Sequence, residues 1–120
     1  MFPIWERCYS LQLVRVIASA SLVRFVDSLG RRLGKNAVRT ALAAWFYEVR
    51  HAQWRHPMEV KASYRTASIV SGDRVVFNIK GNDYRLVTAI DYRRQIVFIK
   101  WIGSHKDYDK IDAKTIRYGD

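Results

Sequence analysis

The spacing of apolar residues divides the chain into a helical first half and a strand-rich second half. A short β-branched run at 13–17 predicts a strand, and Ser19 or Ser21 can cap the helix that follows it. One face of that helix would carry apolar side chains at helical spacing, namely Leu22, Phe25, Val26 and Leu29. A second apolar stripe predicts another helix over about residues 36–53. Pro57 either stops this helix or opens a short third helix.

In the second half, apolar and polar residues alternate with the period of a β-strand. Val75, Phe77 and Ile79 point one way in the first strand of this half, and the even-numbered residues beside them point the other way. Turn-forming residues at 81–83 and at 93–94 separate this strand from two further apolar strands. We therefore expect an α+β protein in which an N-terminal strand and two helices pack on a small, mainly antiparallel sheet.

The net charge of the chain indicates which kinds of molecule it binds. The 120 residues include 21 Lys and Arg against 11 Asp and Glu, a formal net charge of +10 that is shared evenly between the two halves of the chain. This distribution indicates nucleic acid or an acidic protein as the partner, with a merely soluble basic surface as the alternative. Cys8 is the only cysteine, which excludes an intrachain disulfide and a thiolate metal site. No apolar run has the length of a membrane-spanning helix, and we expect a cytoplasmic protein.

A cluster of cationic and proton-transferring side chains follows the last predicted strand. Four such residues lie within the segment 103–110: His105, Lys106, Tyr108 and Lys110. Metal-free RNA cleavage needs a group that assists the 2′-hydroxyl, a cation at the phosphorus and an acid that protonates the leaving 5′-oxygen. Arg85, on the preceding strand, is the candidate for gripping the phosphate because a guanidinium forms paired hydrogen bonds with phosphate oxygens. Lys80 joins this pocket if the strand ends converge, but the sequence does not fix the strand register.

Each of these residues also has an ordinary structural interpretation. Arg85 can form a surface salt bridge with a neighbouring aspartate, and a lone histidine such as His105 is often a plain surface residue. The lysines of the segment can balance the acidic residues around them in a solvated turn. The other two histidines, His51 and His56, have no third ligand at a metal-binding spacing, so we expect no metal and no cofactor.

Three stretches of the chain match a known sequence pattern: Ala44-Trp45-Phe46-Tyr47-Glu48-Val49, Tyr84-Arg85-Leu86-Val87 and Ser104-His105-Lys106-Asp107-Tyr108-Asp109-Lys110. They resemble the HigB family of toxin–antitoxin systems, whose members usually carry Thr-His-Lys-Glu-Tyr-Asp-Lys in the last of these positions. Ser104 and Asp107 are conservative departures from that pattern. The resemblance covers roughly residues 14–116.

The resemblance implies a RelE-like fold and a place among small basic toxins that cut mRNA on the ribosome until an antitoxin inactivates them. The lack of acidic residues paired as in a two-metal nuclease favours cleavage without a metal. The antitoxin would be a small helix-turn-helix protein of the HigA type. The implied catalytic residues are Arg85, His105, Lys106 and Tyr108. The implied RNA-binding residues are Lys61, Arg74, Asn78, Lys80 and Lys110.

Family members usually begin at the strand that starts here with Val14. We therefore expect one toxin domain at 14–118 and an N-terminal extension at 1–13, which is either a genuine arm or the product of a mis-assigned start. The expected function is that of a ribosome-dependent mRNA endonuclease that inhibits translation. The alternative is a noncatalytic basic module that binds RNA or an acidic partner and uses His105 and Tyr108 only for contacts.

Overall fold

A computed structural model describes residues 13–117 of the chain. Residues 1–12 and 118–120 lie outside this range, and with them most of the predicted N-terminal extension. The division of the chain into an extension at 1–13 and a toxin domain at 14–118 therefore stays a prediction.

Residues 13–117 form four helices and one five-stranded sheet. In chain order the elements are β1 (Arg15–Ile17), α1 (Ala20–Ser28), α2 (Lys35–Arg50), α3 (Pro57–Ser63), β2 (Ser68–Ile69), β3 (Arg74–Ile79), β4 (Tyr84–Asp91), β5 (Ile96–Ser104) and α4 (His105–Tyr108). The strands lie in the order β1-β5-β4-β3-β2, with β1 parallel to β5 and every other neighbouring pair antiparallel. The predicted α+β class, with a mainly antiparallel sheet, is confirmed.

An aromatic group joins α2 and the end of α3 to the helix-covered face of the sheet. Phe77 of β3 is 1% exposed, and its ring packs edge to face against Trp45 at 5.4 Å and Tyr64 at 5.1 Å. The same ring stacks on Trp54 at 6.1 Å. Tyr64 also donates a hydrogen bond to the Glu48 carboxylate, and burial together with this carboxylate raises the pKa of the phenol. Removal of a buried ring such as Phe77 costs about 3–5 kcal/mol, so this group contributes strongly to the position of the helices.

The opposite face of the sheet carries a smaller apolar cluster beneath the C-terminal segment. Its members are Val76, Val87 and Ala113, with Val70, Trp101, Tyr108, Ile111 and Ile116 packed against them. A β-bulge produces this arrangement, because Val87 pairs with Trp101 whereas the next residue of β4 pairs with Ile99. Lys100 is therefore an extra residue that shifts the side-chain alternation of β5. As a result Trp101 faces the C-terminal segment, while Ile99 and Ile102 both join the helix-covered core.

The helices differ from the sequence prediction in three respects, the first being α4, which was not predicted. Ser19 occupies the N-cap position of α1 without a capping hydrogen bond, and Ser21 lies inside the helix. The second helix ends at Arg50, three residues before the predicted end. Its last hydrogen bonds tighten to a three-residue spacing, and Gln53 has a φ of 54°, which a right-handed helix does not allow. Pro57 begins a separate helix, which confirms the predicted alternative of a short third helix.

Candidate functional site

Three strands bring residues that are distant in sequence together at one end of the sheet. Arg85 of β4 lies opposite Asn78 of β3 on one side and opposite Gly103 of β5 on the other. His105 follows directly on β5, and its backbone N–H donates to the Asp83 carbonyl at 2.9 Å. Strand register thus creates the convergence that sequence reasoning made conditional. We call the following residues the strand-end cluster: Asn78, Asn82, Arg85, His105 and Tyr108.

The central contact of the strand-end cluster joins a guanidinium to an imidazole. Arg85 Nη2 lies 3.0 Å from His105 Nδ1. A guanidinium has only donors, so Nδ1 is the acceptor and a neutral His105 carries its proton on Nε2. On the other side of the ring, Nε2 lies 3.8 Å from a carboxylate oxygen of Asp109. One imidazole nitrogen therefore faces a cation and the other faces an acid.

The turn between β3 and β4 holds the guanidinium in place. Arg85 Nη1 donates to the Asn82 carbonyl at 2.9 Å, and Nη2 donates to Asn82 Oδ1 at 3.1 Å. Asn78 Nδ2 donates to the same Oδ1 at 3.4 Å. Arg85 is half-buried, and these bonds orient its planar fork in advance of any ligand.

Helix α4 presents His105 and Tyr108 to Arg85. Ser104 caps this short helix, because its Oγ accepts the N–H of Asp107 at 3.1 Å. The Tyr108 ring centroid lies 5.9 Å from Arg85 Cζ, within the range of a cation–π contact. The Ser104 hydroxyl thus caps the turn that carries His105, and a threonine hydroxyl at this position could do the same.

Trp101 forms part of the surroundings of the strand-end cluster. Its ring lies over Gly103, where an added Cβ would come within 2.5 Å of the ring, and it packs against Tyr108 at 6.3 Å. Sequence reasoning identified neither Trp101 nor Asn82 as a neighbour of the site. One signal was available, since a glycine within a strand pattern often marks the close approach of another group.

Lys80 does not occupy the face that simple alternation predicts. It lies beyond the end of β3 and has a φ of 53°, so the strand period no longer determines its direction. Its Nζ lies 3.3 Å from the Asp83 carboxylate and 2.7 Å from the point where a Cβ on Gly34 would be. Lys80 therefore packs beside the loop that precedes α2, whereas Asn78 shares its contact partner with Arg85.

The remaining predicted residues divide into two groups. Lys106 and Lys110 lie exposed on or just after α4, and Lys110 pairs with Asp107 at 3.9 Å. Lys61 and Arg74 instead make structural contacts. Lys61 Nζ donates to the Ala67 carbonyl, and Arg74 Nη1 donates to the carbonyls of the C-terminal segment at residues 113 and 116, at 3.2 Å and 2.7 Å.

Neither a metal-binding cluster nor a membrane-spanning helix is found in residues 13–117. The described residues contain no group of three or more His, Cys, Asp or Glu side chains placed to hold a metal ion. None of the helices in the same range is both long and apolar enough to cross a membrane. The two tyrosines whose pKa is clearly raised by burial, Tyr64 and Tyr92, both pack against the helix-covered core and lie outside the strand-end cluster.

A mostly antiparallel five-stranded sheet with helices on one face, and a basic, imidazole-bearing cluster at a strand end, defines a RelE-like protein. A model of the HigB toxin family, described as the RelE-like toxic component of a toxin-antitoxin system, matches residues 38–111. The match covers more than half of the chain, and the chain belongs to this family. A comparison with curated proteins finds no match. The protein is therefore a toxin whose partner is an antitoxin, and the matched stretch contains the whole strand-end cluster.

Arg74 gives a direct test of whether a predicted RNA contact is a structural residue. Arg74→Met keeps the aliphatic stem but removes both bonds to the C-terminal segment, so we expect the free energy of unfolding to fall by about 1–3 kcal/mol. Urea unfolding measures this change, and Lys114→Met, an exposed lysine on the same segment, is the control. Unchanged stability together with weaker RNA binding would contradict the structural role and favour the RNA contact.

Proposed function

We propose that the protein is a ribosome-dependent mRNA endonuclease that inhibits translation by metal-independent acid–base chemistry. The observation that carries this proposal is the 3.0 Å contact between Arg85 Nη2 and His105 Nδ1. It places a permanent cation and a proton-transferring group at one point on a protein of net charge +10. Membership of a RelE-like toxin family supports RNA cleavage as the toxic activity.

The reaction begins with exchange of the Arg85 contacts. In the free protein Arg85 donates to His105 Nδ1, so that nitrogen is not available to a substrate. A scissile phosphate offers the guanidinium charged oxygens, which are stronger acceptors than a neutral imidazole. Phosphate binding therefore draws Nη2 towards the substrate and releases Nδ1. The guanidinium then stabilises the charge that develops around phosphorus.

His105 transfers protons in the chemical step. The 2′-oxygen of the preceding nucleotide loses its proton and attacks phosphorus, and the bond from phosphorus to the 5′-oxygen breaks. The products are a 2′,3′-cyclic phosphate and a free 5′-hydroxyl, which takes up one proton, so the reaction needs no co-reactant. His105 is our first choice for the proton transfer, and Tyr108, whose ring centroid lies 5.9 Å from Arg85 Cζ, is the second proton-transferring group. Lys106, exposed on α4, supplies a further cation beside the phosphate.

The partners follow from this proposal. The ribosome holds the mRNA in the cytoplasm. The exposed lysine Lys110 and the side-chain amide of Asn78 contact the RNA backbone. We further propose that the antitoxin is a small helix-turn-helix protein of the HigA type. Lys61, Arg74 and Lys80 lie in structural contacts in the free protein, so their RNA contacts are the weaker part of the proposed interface.

One observation favours a second candidate function, that of a noncatalytic basic module. Arg85 already donates to both oxygens of Asn82, which is what a purely structural brace of the β3–β4 turn would do. In that case Arg85 would stay on the turn when RNA binds, and His105 would make contacts without transferring a proton. Substitution of the two residues separates the two functions.

We expect Arg85→Ala and His105→Ala each to lower the rate of mRNA cleavage on ribosomes by about 10²-fold or more, since each removes a group that acts in the transition state. Both variants should also lose growth arrest while remaining folded, which thermal melting checks. Primer extension on ribosome-bound mRNA measures the cleavage. Arg39→Ala, an exposed arginine of α2, and His56→Ala, an exposed histidine before α3, are the matched controls. Wild-type cleavage by both site variants would leave only the noncatalytic function.

The metal-independent mechanism predicts that a chelator has no effect on the chemical step. Cleavage should continue at its original rate after EDTA is added to the toxin, with ribosomes kept intact by magnesium restored in a fixed excess before the assay. Manganese, cobalt or zinc added afterwards should not accelerate the reaction. A toxin that loses activity on EDTA treatment and regains it only with one of these transition metals would refute the metal-independent mechanism.

A further inference from the structure

Four arginines surround a depression at the end of the sheet opposite the strand-end cluster. The depression has a volume of about 430 Å³, and we call it the arginine pocket after Arg15, Arg55, Arg93 and Arg94 in its lining. β4 runs from one site to the other, and its eight residues at about 3.4 Å each place its two ends roughly 24 Å apart. The arginine pocket is thus a separate site and not an extension of the cluster around Arg85.

One residue holds the three segments that supply these arginines. Gln95, in the turn after β4, donates from Nε2 to the carbonyl of Trp54, which precedes Arg55, at 2.6 Å and to the Tyr92 carbonyl at 2.6 Å. Its backbone carbonyl accepts the N–H of Arg15 at 3.1 Å. The positions of β1, the connection from α2 to α3 and the β4–β5 turn are therefore fixed relative to one another. Gln95 is a positioning residue of the arginine pocket.

The charge of the arginine pocket is only partly compensated. Across residues 13–117, Asp91 forms an ion pair with Arg94 at 3.9 Å, and the Glu59 carboxylate accepts the backbone N–H of Arg55 without an ion pair to its guanidinium. The Asp73 carboxylate acts on the neighbouring Tyr92. Like charges gathered in one depression repel each other, and an anionic ligand relieves this repulsion. All four cations are arginines, the side chain that binds phosphate oxygens through paired hydrogen bonds.

We propose that the arginine pocket binds the phosphodiester backbone of a structured RNA, independently of the RNA that is cleaved. The choice of RNA as the anion rests on the proposed function, whereas the pocket and its charge do not. An acidic peptide is the weaker candidate because only Leu13 and Tyr92 offer large apolar surface in the lining, and peptide grooves depend on apolar side-chain pockets. A rigid RNA helix can present phosphates here while a single strand lies in the strand-end cluster.

The test compares two double variants with the same charge. Arg93→Glu/Arg94→Glu alters two exposed residues of the arginine pocket, and Arg24→Glu/Arg39→Glu alters two exposed arginines on the helices. Each takes the formal net charge from +10 to +6, since two reversals remove four charges (10 − 4 = 6). The probe is a fluorescent RNA stem-loop, titrated over a range of salt concentrations with the full-length chain. Thermal melting checks that both variants are folded.

We expect the pocket variant to bind the stem-loop at least about tenfold more weakly than the control variant, with a salt dependence shallower by roughly two contacts. The same loss should occur in an Arg85→Ala background, so the result stands whether or not the protein cleaves RNA. Equal losses in the two double variants would show that net charge alone binds RNA and would overturn the proposal. Loss of binding to a poly-aspartate peptide, with stem-loop binding retained, would overturn it in favour of an acidic partner.

Discussion

The antiparallel register between β4 and β5 determines where Arg85 lies relative to His105 and Tyr108 in the strand-end cluster. Eight residue pairs set this register, and they place Arg85 opposite Gly103, two residues before His105. A shift by one residue would turn Arg85 towards the helix-covered core and remove it from the imidazole. The bulge at Lys100 allows this register at the end of β5. Because of the extra residue, Ile99 and Ile102 both lie in the core while Trp101 faces the C-terminal segment. The chemistry of the site therefore depends on how the central strands pair.

The two long helices, the longer strands and the chemical types of the site residues could be predicted because each has a local signal, whereas β2 and α4, of two and four residues, are too short to show a period. Residues 75–79 alternate, and their odd-numbered side chains lie in the core as expected. Arg85 and His105 were singled out by residue type and by position beside turns. The contact between these two side chains could not be predicted. Alternation with a period of two indicates which face of the sheet a residue lies on, but not which residue of the next strand lies opposite it.

Two features of the structure have no local signal in the sequence. Lys80 follows the strand pattern in sequence but adopts a left-handed backbone, which alternation cannot anticipate. Arg74, which the resemblance assigns to RNA binding, donates to carbonyls some forty residues later in the chain, and residue type alone does not reveal such partners. The arginine pocket escaped notice for the same reason, because its residues come from three separate segments that only Gln95 and the folded sheet bring together. The role of a lysine or arginine side chain therefore depends on contacts with residues that are distant in sequence.

A double-mutant cycle tests most directly whether Arg85 and His105 act as one unit on RNA, as we propose. Arg85→Lys and His105→Gln are mild enough to leave measurable cleavage, and rates are compared for the two single variants and the double variant on ribosome-bound mRNA. Residues in contact that act together give non-additive effects, so the double variant should cleave no more slowly than the slower single variant. A double variant whose loss equals the product of the two single losses would show independent action and contradict the account.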